Sequence, residues 1–374
     1  MSFRKLGNLV RIKTGKLDAN ASIKDGEYPF FTCARTPLKI DSYSYDCKCV
    51  LVAGNGDLNV KFYEGKFDAY QRTYIVESTD EEILNTRYLF WFLEKYIEKL
   101  RELSIGGVIK YIKLNNLTDP EIPLPSLEDQ KRIVAILDQA DALRQKRKQA
   151  IALLDEYVKS VFLEMFGDPV SNPKGWEVDC LRNYILDVKN GLSRRRKTTK
   201  NEGQIVLRLR DIKANWIDYS DLNRIELDAK ELETYKISQN DLLFIRVNGN
   251  PNYVGRSAVF LGYSENVYFN DHIMRITFDI NLVNNIFVSY FLNSSFGKNQ
   301  VALYKKTSAG QHTISQDGLN KILLFIPKVE IQNKFSKIFL NVEELKQKML
   351  KQSQELDTQF NALMQRAFNG ELTK

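Results

Sequence analysis

Histidine is almost missing from this sequence. The 374 residues include only two histidines, His272 and His312, and four cysteines. A histidine-rich zinc site and a catalytic relay centred on histidine are therefore not expected. Cys47 and Cys49 lie closer together than the two-residue spacing of a metal pair, so we expect the cysteines to be reduced thiols that bind no metal.

Long apolar runs are also missing. No stretch approaches the ~20 consecutive apolar residues that a membrane-spanning helix needs, so no contact with a membrane is expected. The first residues, "MSFRKLGNLVRIKTG", carry charges inside their apolar stretch, unlike the core of a signal peptide. These features favour a cytoplasmic protein.

Basic residues outnumber acidic ones, and the excess is unevenly distributed along the chain. The formal net charge is +7. Residues 128–166 contain seven acidic and seven basic side chains, and residues 330–374 contain six acidic and seven basic ones. Nearly all of the excess positive charge lies elsewhere, which points to an anionic partner for the rest of the chain. The length also favours two or more separate cores.

Two segments make the same transition from strand-like residues through proline into helix formers. They are "IPLPSLEDQKRIVAILD" (residues 122–138) and "LLFIPKVEIQNKFSKIF" (residues 323–339), and an offset of 202 residues aligns them. The aligned pairs are Ile112 with Ile314, Leu117 with Leu319, Pro125 with Pro327, Glu128 with Glu330, Gln130 with Gln332, Ile133 with Phe335, and Ile136 with Ile338. The chain is therefore predicted to be a two-copy repeat.

Each copy reads as a mixed α+β region that is followed by one long helix. Short β-branched and aromatic runs between Gly and Asn turns predict strands at residues 49–54, 73–78, 241–247, 257–262 and 272–278. Short helices are predicted at residues 86–103 and 284–293. This mixture is typical of the α+β class.

The two long helices carry apolar seams of the kind that a coiled coil requires. Ser126 and Asp129 resemble a capping box, and Gly167 and Pro169 predict the end of the first helix. The predicted seams contain Ile133, Leu137, Ala140, Ile151, Leu154, Val158, Val161 and Met165 in the first helix, and Phe335, Ile338, Val342, Leu345, Met349, Leu356 and Leu363 in the second. At ~1.5 Å per residue each helix spans roughly 58 Å. An antiparallel pair that separates two globular regions is favoured, and amphipathic helices that pack only on their own domains are the alternative.

The junction "IPLPSLEDQKRI" and several further blocks resemble the specificity subunit of type I restriction-modification systems. In the second half these blocks are "VLRLRDI" (206–212), "NDLLFIRVNGNPNYVGRSAVF" (240–260) and "SAGQHTISQDGLNKILLFIPKVEIQ" (308–332). In the first half they are "YPFFTCARTPLKID" (28–41), "VLVAGNGDLNVKFYEGKFDAYQRTYIV" (50–76) and "YIKLNNLTDPEIPLPSLEDQ" (111–130). The resemblance covers essentially the whole chain. It implies target-recognition domains at residues 1–125 and 168–327 and conserved spacer helices at residues 126–167 and 328–374.

This resemblance implies an α+β fold in which two target-recognition domains are separated by two long helices that form an antiparallel coiled coil, with a pseudo-twofold internal repeat. It implies a non-catalytic DNA sequence-specificity subunit, each domain of which reads one half of a bipartite site in double-stranded DNA. The helices would set the spacing and dock two modification (methyltransferase) subunits, and restriction (translocase and nuclease) subunits would join them. No cofactor is implied for this chain; S-adenosylmethionine, ATP and magnesium belong to the partner subunits.

The candidate DNA-binding residues lie in loops rich in Gly and Asn, where arginine can read guanine and asparagine or glutamine can read adenine. In the first half they are Asn55, Asn59, Lys61, Tyr70, Gln71, Arg72, Gly107 and Lys110. In the second half they are Arg194, Arg195, Arg196, Arg208, Arg210, Arg246, Asn248, Asn250, Tyr253, Arg256, His272, Gln311 and His312. No catalytic residue and no metal-binding residue is expected.

Two other functions remain open at this stage. The sequence "NPNY" at residues 250–253 is one residue away from the motif with which adenine methyltransferases hold their target amino group. A self-contained DNA adenine methyltransferase, or a nuclease with degenerate motifs, is therefore the main alternative, although the dense Asn-Gly-Asn-Pro sequence is also typical of a turn. A coiled-coil adaptor that binds only proteins is the third possibility.

Overall fold

The computed structural model describes residues 2–193 and 202–372 of the chain. It contains two compact units. Unit 1 consists of Met1–Ile151 and Lys348–Lys374, and unit 2 consists of Ala152–Gln347. Each unit therefore contains one mixed α+β region and a segment of both long helices.

The first half of the chain begins with strands and ends in a long helix. Its strands are β1 (Ser2–Lys5), β2 (Val10–Thr14), β3 (Tyr28–Phe31), β4 (Leu38–Ile40), β5 (Tyr45–Ala53), β6 (Val60–Ala69), β7 (Thr73–Ser78) and β8 (Glu121–Leu124). Its helices are α1 (Thr86–Leu103), α2 (Asn115–Thr118) and α3 (Leu127–Phe166). The short helix predicted at residues 86–103 is confirmed.

The second half repeats this order with more and shorter strands. They are β9 (Glu177–Cys180), β10 (Ile185–Asn190), β11 (Gln204–Leu207), β12 (Arg224–Ile225), β13 (Leu242–Ile245), β14 (Val247–Asn248), β15 (Ser257–Val259), β16 (Val267–Phe269), β17 (Ile273–Phe278), β18 (Lys306–Ser308), β19 (Gln311–Thr313) and β20 (Leu323–Ile326). The helices are α4 (Ala229–Thr234), α5 (Asn285–Asn293), α6 (Ser295–Tyr304), α7 (Gln316–Asn320) and α8 (Val329–Phe368).

Unit 1 is organised around a six-stranded sheet in the order β2-β7-β5-β6-β3-β4. Only the β3–β6 pair is parallel. The central strand β5 is buried on both faces, because side chains alternate along a strand. Val50 and Val52 join the core that α1 covers, whereas Cys49 and Leu51 join a smaller core on the opposite face.

Unit 2 distributes its strands over four smaller sheets. The central one has the order β10-β17-β13-β15, and it is flanked by sheets β12-β11-β16, β14-β19-β18 and β20-β9. Strand β13 again has two buried faces, with Leu242 and Phe244 in one core and Leu243 and Ile245 in another. As in unit 1, one strand pair is parallel, here β11 with β16.

Matching backbone hydrogen bonds show that the two units repeat the same frame. The pairs, with unit 1 first, are Leu6 N to Pro120 O (2.8 Å) and Leu181 N to Ile322 O (2.8 Å), Gly15 N to Thr73 O (3.1 Å) and Gly191 N to Ile273 O (3.2 Å), Leu17 N to Ala69 O (3.4 Å) and Leu192 N to Phe269 O (3.0 Å), and Gln71 N to Leu17 O (2.9 Å) and Asp271 N to Leu192 O (3.0 Å). The predicted internal repeat is therefore present in the fold as well as in the sequence.

The ends of α3 have the local chemistry that the sequence predicts. The hydroxyl of Ser126 accepts the N–H of Asp129 (3.1 Å), which satisfies one free donor of the first turn. At the other end Gly167 has φ +81°, a left-handed conformation that favours glycine, and its N–H donates to Leu163 O (2.8 Å). A helix of 40 residues results.

Segments of α3 and α8 run antiparallel in each unit. In unit 1, Arg144 Nε donates to Asp357 Oδ1 (2.6 Å), and Arg132 donates to Leu372 O (2.5 Å). In unit 2, Lys346 donates to Asp155 (2.5 Å), and the rings of Phe162 and Phe335 have centroids 5.4 Å apart, so residue numbers rise along α3 as they fall along α8. The predicted antiparallel helix pairing is thus confirmed within each unit.

The buried faces of the two long helices differ from the predicted seam. Phe339, Phe360 and Met364 are buried, although they were not placed in the seam, whereas Leu345 is 47% exposed and its placement in the seam was wrong. The reason is that both helices also pack on the α+β region of each unit. Ile133 shares one core with Phe360, and that core includes residues of α1.

None of the helices within residues 2–193 and 202–372 has a sufficiently long apolar stretch to span a membrane.

Candidate nucleic-acid interface

Three turns of unit 1 meet at the end of its central strand. We name residues 54–56, 70–72 and 105–111 edge 1. The N–H of Gly54 donates to Arg72 O (2.8 Å), and Gly54 O accepts the N–H of Ile112 (2.9 Å). The N–H of Gly56 donates to Lys110 O (2.9 Å). Backbone bonds therefore hold together three loops, although the bonded residues Gly56 and Lys110 lie 54 positions apart in the sequence.

Unit 2 forms the same junction at the end of β13. We name residues 246–250, 270–272 and 306–313 edge 2. The N–H of Arg246 donates to His272 O (2.9 Å), and Arg246 O accepts the N–H of Ile314 (3.0 Å). Asn248 is opposite His312 in the β14–β19 pair. By these bonds Arg246 corresponds to Gly54, His272 to Arg72, and His312 to Lys110.

Most candidate residues of unit 1 lie on edge 1, and they are accessible. The exposed ones are Gln71, Arg72, Gly107 and Lys110, and the half-buried ones are Asn55 and Tyr70. Two of them are basic, and backbone N–H groups and side-chain amides lie beside them. The structure therefore brings six of the eight candidates of the first half to one surface.

Asn59 and Lys61 lie beside this surface and already have protein partners. Asn59 is 6% exposed, and its amide nitrogen donates to Cys33 O (2.8 Å) and Asp57 O (2.7 Å). The ammonium of Lys61 donates to Asn59 Oδ1. Burial lowers the pKa of Lys61 to about 8, because an ammonium ion loses hydration when it is enclosed. These two residues shape the turn before β6.

Arg246 and His272 occupy the centre of edge 2. Arg246 Nη1 donates to Asp271 O (3.1 Å), while its Nε has no hydrogen-bond partner among the described residues. His272 Nδ1 is 3.1 Å from Asp271 Oδ1 and 3.5 Å from Asn270 Nδ2. The guanidinium is therefore anchored by one nitrogen, and its Nε is enclosed by the protein.

The hairpin β18–β19 supplies Gln311 and His312 to the same edge. Gln311 is exposed, and His312 is half-buried with its Nδ1 2.9 Å from Thr307 Oγ1. Thr307 and Asn248 flank His312 across the sheet. The sequence candidates Arg246, His272 and His312 thus converge, although 26 and 40 residues separate them along the chain.

The "NPNY" segment forms a turn next to edge 2. Asn248 Oδ1 accepts the N–H of Asn250 (2.8 Å), and Asn250 Oδ1 accepts the N–H of Asn252 (3.0 Å). The guanidinium of Arg256 lies over the ring of Tyr253, 4.0 Å from its centroid. The asparagine side chains are occupied in building the turn, which is the ordinary role of asparagine at such positions.

The remaining candidates are paired or lie outside the described residues. Arg208 donates to Asp211 through its backbone N–H (2.8 Å) and its Nε (3.2 Å), and Arg210 is bonded to Asp221. Their charges are therefore largely balanced within one loop. The predicted sites Arg194, Arg195 and Arg196 fall in residues 194–201, outside the part of the chain that the structure describes.

Sequence reasoning missed three residues of edge 2. Asn270 and Asp271 contact His272, and Thr307 contacts His312. The offset of 202 residues did not indicate the first two, because "NDH" at 270–272 occupies the place of "YQR" at 70–72 at an offset of 200, which only the hydrogen bonds show. Thr307 contacts its partner only through the hairpin, and no local pattern indicated it.

The described residues contain no group of three or more His, Cys, Asp or Glu side chains that could hold a metal ion. Two clefts of unit 2, about 390 and 440 Å³, share Trp216 in their linings and are lined mainly by apolar atoms. Neither cleft includes Asn250 or Tyr253.

Comparison with known proteins gives consistent matches along the chain. The family model of the type I restriction modification DNA specificity domain matches residues 1–153 and 173–356. The specificity subunit of the type I restriction enzyme EcoDI from Escherichia coli is 40% identical over 161 residues, which are 42% of this chain and 36% of that protein. The specificity subunit of the enzyme StySPI from Salmonella potsdam is 28% identical over 310 residues, which are 78% of this chain and 67% of that protein.

A solved structure shares the fold. The crystal structure of the S subunit of a type I restriction-modification system from M. genitalium matches with a TM-score of 0.65 and 15% sequence identity. The match covers 98% of this chain and 96% of that chain. The chain itself spans about one third of the length of the Escherichia coli relative and about two thirds of the Salmonella relative.

Proposed function

Because this chain belongs to the family of type I restriction-modification specificity subunits, we propose that it is the DNA-reading subunit of such a complex. Edge 1 reads one half of a bipartite site in double-stranded DNA, and edge 2 reads the other half. The paired helices set the number of base pairs between the halves and dock two methyltransferase subunits. Restriction subunits assemble on the same scaffold, and the chain itself supplies no catalytic group.

The observation that carries this proposal is the pair of matched edges. Equivalent backbone hydrogen bonds hold both, yet the residues at the matched positions differ: Gly54, Arg72 and Lys110 in unit 1, and Arg246, His272 and His312 in unit 2. A constant frame with variable polar side chains is suited to reading two unrelated base sequences. The basic side chains suit phosphate and guanine contacts in particular.

Cofactors belong to the partners in this proposal. S-adenosylmethionine is bound by the methyltransferase subunits, and ATP and magnesium by the restriction subunits. Calorimetric titration of the purified chain with S-adenosylmethionine should give no binding heat. Binding by the chain alone would favour the alternative, a self-contained adenine methyltransferase.

The direct test is a map of N6-methyladenine in cells that contain the chain together with its methyltransferase subunits. We expect one split motif that disappears when the gene for this chain is deleted. A motif that persists after the deletion, or a motif without a gap, would contradict the proposal.

The spacing role has its own test. Each helix has 40 residues and is about 60 Å long, which corresponds to roughly 18 base pairs at ~3.4 Å per pair. Deleting four residues, about one helical turn, from α3 should shorten the gap in the methylated motif. An unchanged gap in an assembled and active complex would mean that the helices do not measure it.

A further inference from the structure

Each long helix contains one glutamine that is completely buried near its start. Gln130 and Gln332 are both 0% exposed, and each is the fourth residue of its helix. Glutamine on a helix surface is usually solvated, and a buried amide is stable only when its polar atoms have partners. Both amides have such partners.

The two glutamines make the same hydrogen bonds in the two units. Gln130 Oε1 accepts the N–H of Asn85 (2.9 Å), and Gln130 Nε2 donates to Pro125 O (3.1 Å). Gln332 Oε1 accepts the N–H of Asn284 (2.9 Å), and its Nε2 donates to the corresponding carbonyl, Pro327 O (2.7 Å). Gln130 makes one further bond, to Ile83 O (2.9 Å).

One partner of each glutamine is itself a fixed point of the recognition domain. Asn85 is the N-cap of α1, and its side chain accepts the N–H groups of Arg87 and Tyr88. Asn284 is the N-cap of α5 and binds the N–H groups of Ile286 and Phe287 in the same way. The asparagine side chain therefore caps its helix while its own N–H is left for the glutamine. One amide thus joins the start of a domain helix to the start of a long helix.

This geometry restrains rotation of the long helix about its axis. Successive residues of an α-helix are ~100° apart, so rotation or slippage by one residue would withdraw the amide from the N–H of Asn85 or Asn284, whereas the bond to the proline carbonyl lies within the junction itself. The buried N–H and C=O groups would then be unpaired, which costs more than the net value of the bonds. The restraint acts where the recognition domain ends and the helix begins.

We propose that Gln130 and Gln332 are positioning residues that fix the rotation of each long helix relative to its own recognition domain, and thereby the one spacing between half-sites that the complex accepts. This inference rests on the proposed function, because it concerns how a gap between two DNA half-sites is set. A second contact supports the role in unit 2, where Ser336 Oγ donates to Asn284 Oδ1 (2.6 Å). The residue at the same offset in unit 1 is Val134, which has no hydroxyl.

The test uses the chain assembled with its methyltransferase subunits. Once the methylated motif is known, DNA duplexes with unchanged half-sites and with gaps one or two base pairs shorter or longer are offered as substrates. The variants are Gln130→Met and Gln332→Met, which keep the side-chain volume and remove the hydrogen bonds. The exposed Gln139→Met on α3 is the matched control.

We expect the unaltered complex and the control to methylate the correct gap at least about ten-fold faster than its neighbours. Each buried variant should reduce this ratio several-fold while the half-site sequences stay the same. Unchanged gap discrimination combined with a lower melting temperature would overturn the proposal and leave the glutamines a purely structural role. If the Met variants do not assemble, the milder Ser336→Ala, which removes the added contact to Asn284, decides in the same assay. A lack of any gap preference in the unaltered complex would instead refute the proposed function.

Discussion

Edges 1 and 2 have the same backbone frame and opposite side-chain strategies. At the centre of edge 2 stands Arg246, a long donor, whereas the equivalent residue of edge 1 is Gly54. A Cβ atom on Gly54 would lie 2.4 Å from Arg72 O, so edge 1 excludes any side chain at this position. The two units therefore share the backbone hydrogen bonds at this position but differ in the side chain that the position accommodates.

At the tips of the loops, residues 108–109 and 310–311, edge 1 has the larger side chains. Val108 is fully exposed and Ile109 is 62% exposed in edge 1, next to the exposed Lys110. The residues at the same offset in edge 2 are Gly310 and Gln311. Edge 1 therefore presents apolar atoms where edge 2 presents an amide, and apolar groups in the major groove contact the thymine methyl group.

The largest expected effect concerns the cores where each long helix packs on its α+β region. Phe335 and Ile133 occupy equivalent helix positions, and both are 0% exposed. Phe335→Ala should lower the free energy of unfolding by about 3–5 kcal/mol, and Ile133→Ala by about 2–5 kcal/mol, because each leaves a cavity. Urea denaturation measures both. The exposed Leu345→Ala should stay within about 0.5 kcal/mol of the parent, and an equally large loss there would contradict the burial.

The next effect tests the central difference between the edges. Arg246→Gly gives edge 2 the residue that edge 1 has. If Arg246 reads a base, its loss should reduce discrimination against the wrong base in the half-site that edge 2 reads. The ratio of methylation rates for the correct and the wrong base should fall by roughly 5- to 150-fold, equivalent to about 1–3 kcal/mol. Methylation rates on substrates with single base changes in either half measure it. If base discrimination were lost only in the half-site assigned to edge 1, the assignment of edges to half-sites would be reversed.

A smaller effect is expected at the tips. The double substitution Val108→Gly and Ile109→Gln gives edge 1 the tip of edge 2. The preferred base should change at one or two positions of the first half-site, because an apolar surface is replaced by an amide. The same substrate panel reports this change. Ile280→Gln is the control, since Ile280 is 63% exposed but lies outside edge 2.

The smallest effect concerns protonation beside edge 1. The pKa of Lys61 is lowered by burial to about 8, from 10.5 for an exposed lysine. Between these values the unfolded chain binds more protons than the folded chain, so this residue makes the free energy of unfolding rise with pH in that window. Lys61→Met should remove this rise. Denaturation at pH 7.5 and pH 10 measures it, and parallel pH profiles for the two proteins would show that Lys61 is freely hydrated.

Patterns with a single local cause could be predicted from the sequence. Residues 86–103 form α1 as predicted, because Asn85 caps a strongly amphipathic segment. The alignment of Gln130 with Gln332 identified equivalent positions, although not their burial. Strand β6 was missed, since its ten residues mix charged and aromatic side chains around Gly65 and lack a clear alternation of buried residues.

Features that depend on a distant partner could not be predicted. Leu345 has the spacing of a seam residue, yet the face of α8 that is buried also depends on the α+β region that it contacts, which buries Phe339 instead. The acids near Arg208 were visible in the sequence, but only the folded loop shows that Asp211 takes both its backbone N–H and its guanidinium. The proposed domain limits and the DNA-contact roles of individual residues stay predictions.

The discontinuous composition of unit 1 has a consequence during synthesis on the ribosome. Its core combines Leu6 and Val10 with Phe360 and Phe368, whereas unit 2 is continuous from Ala152 to Gln347. At ~5–20 residues per second, about 10 to 40 s pass between translation of Ile151 and of Phe360. The apolar surface of unit 1 that packs against the end of α8 therefore stays uncovered during this interval, whereas unit 2 is complete once Gln347 has been translated. A chaperone that binds the nascent chain would meet unit 1 during this interval.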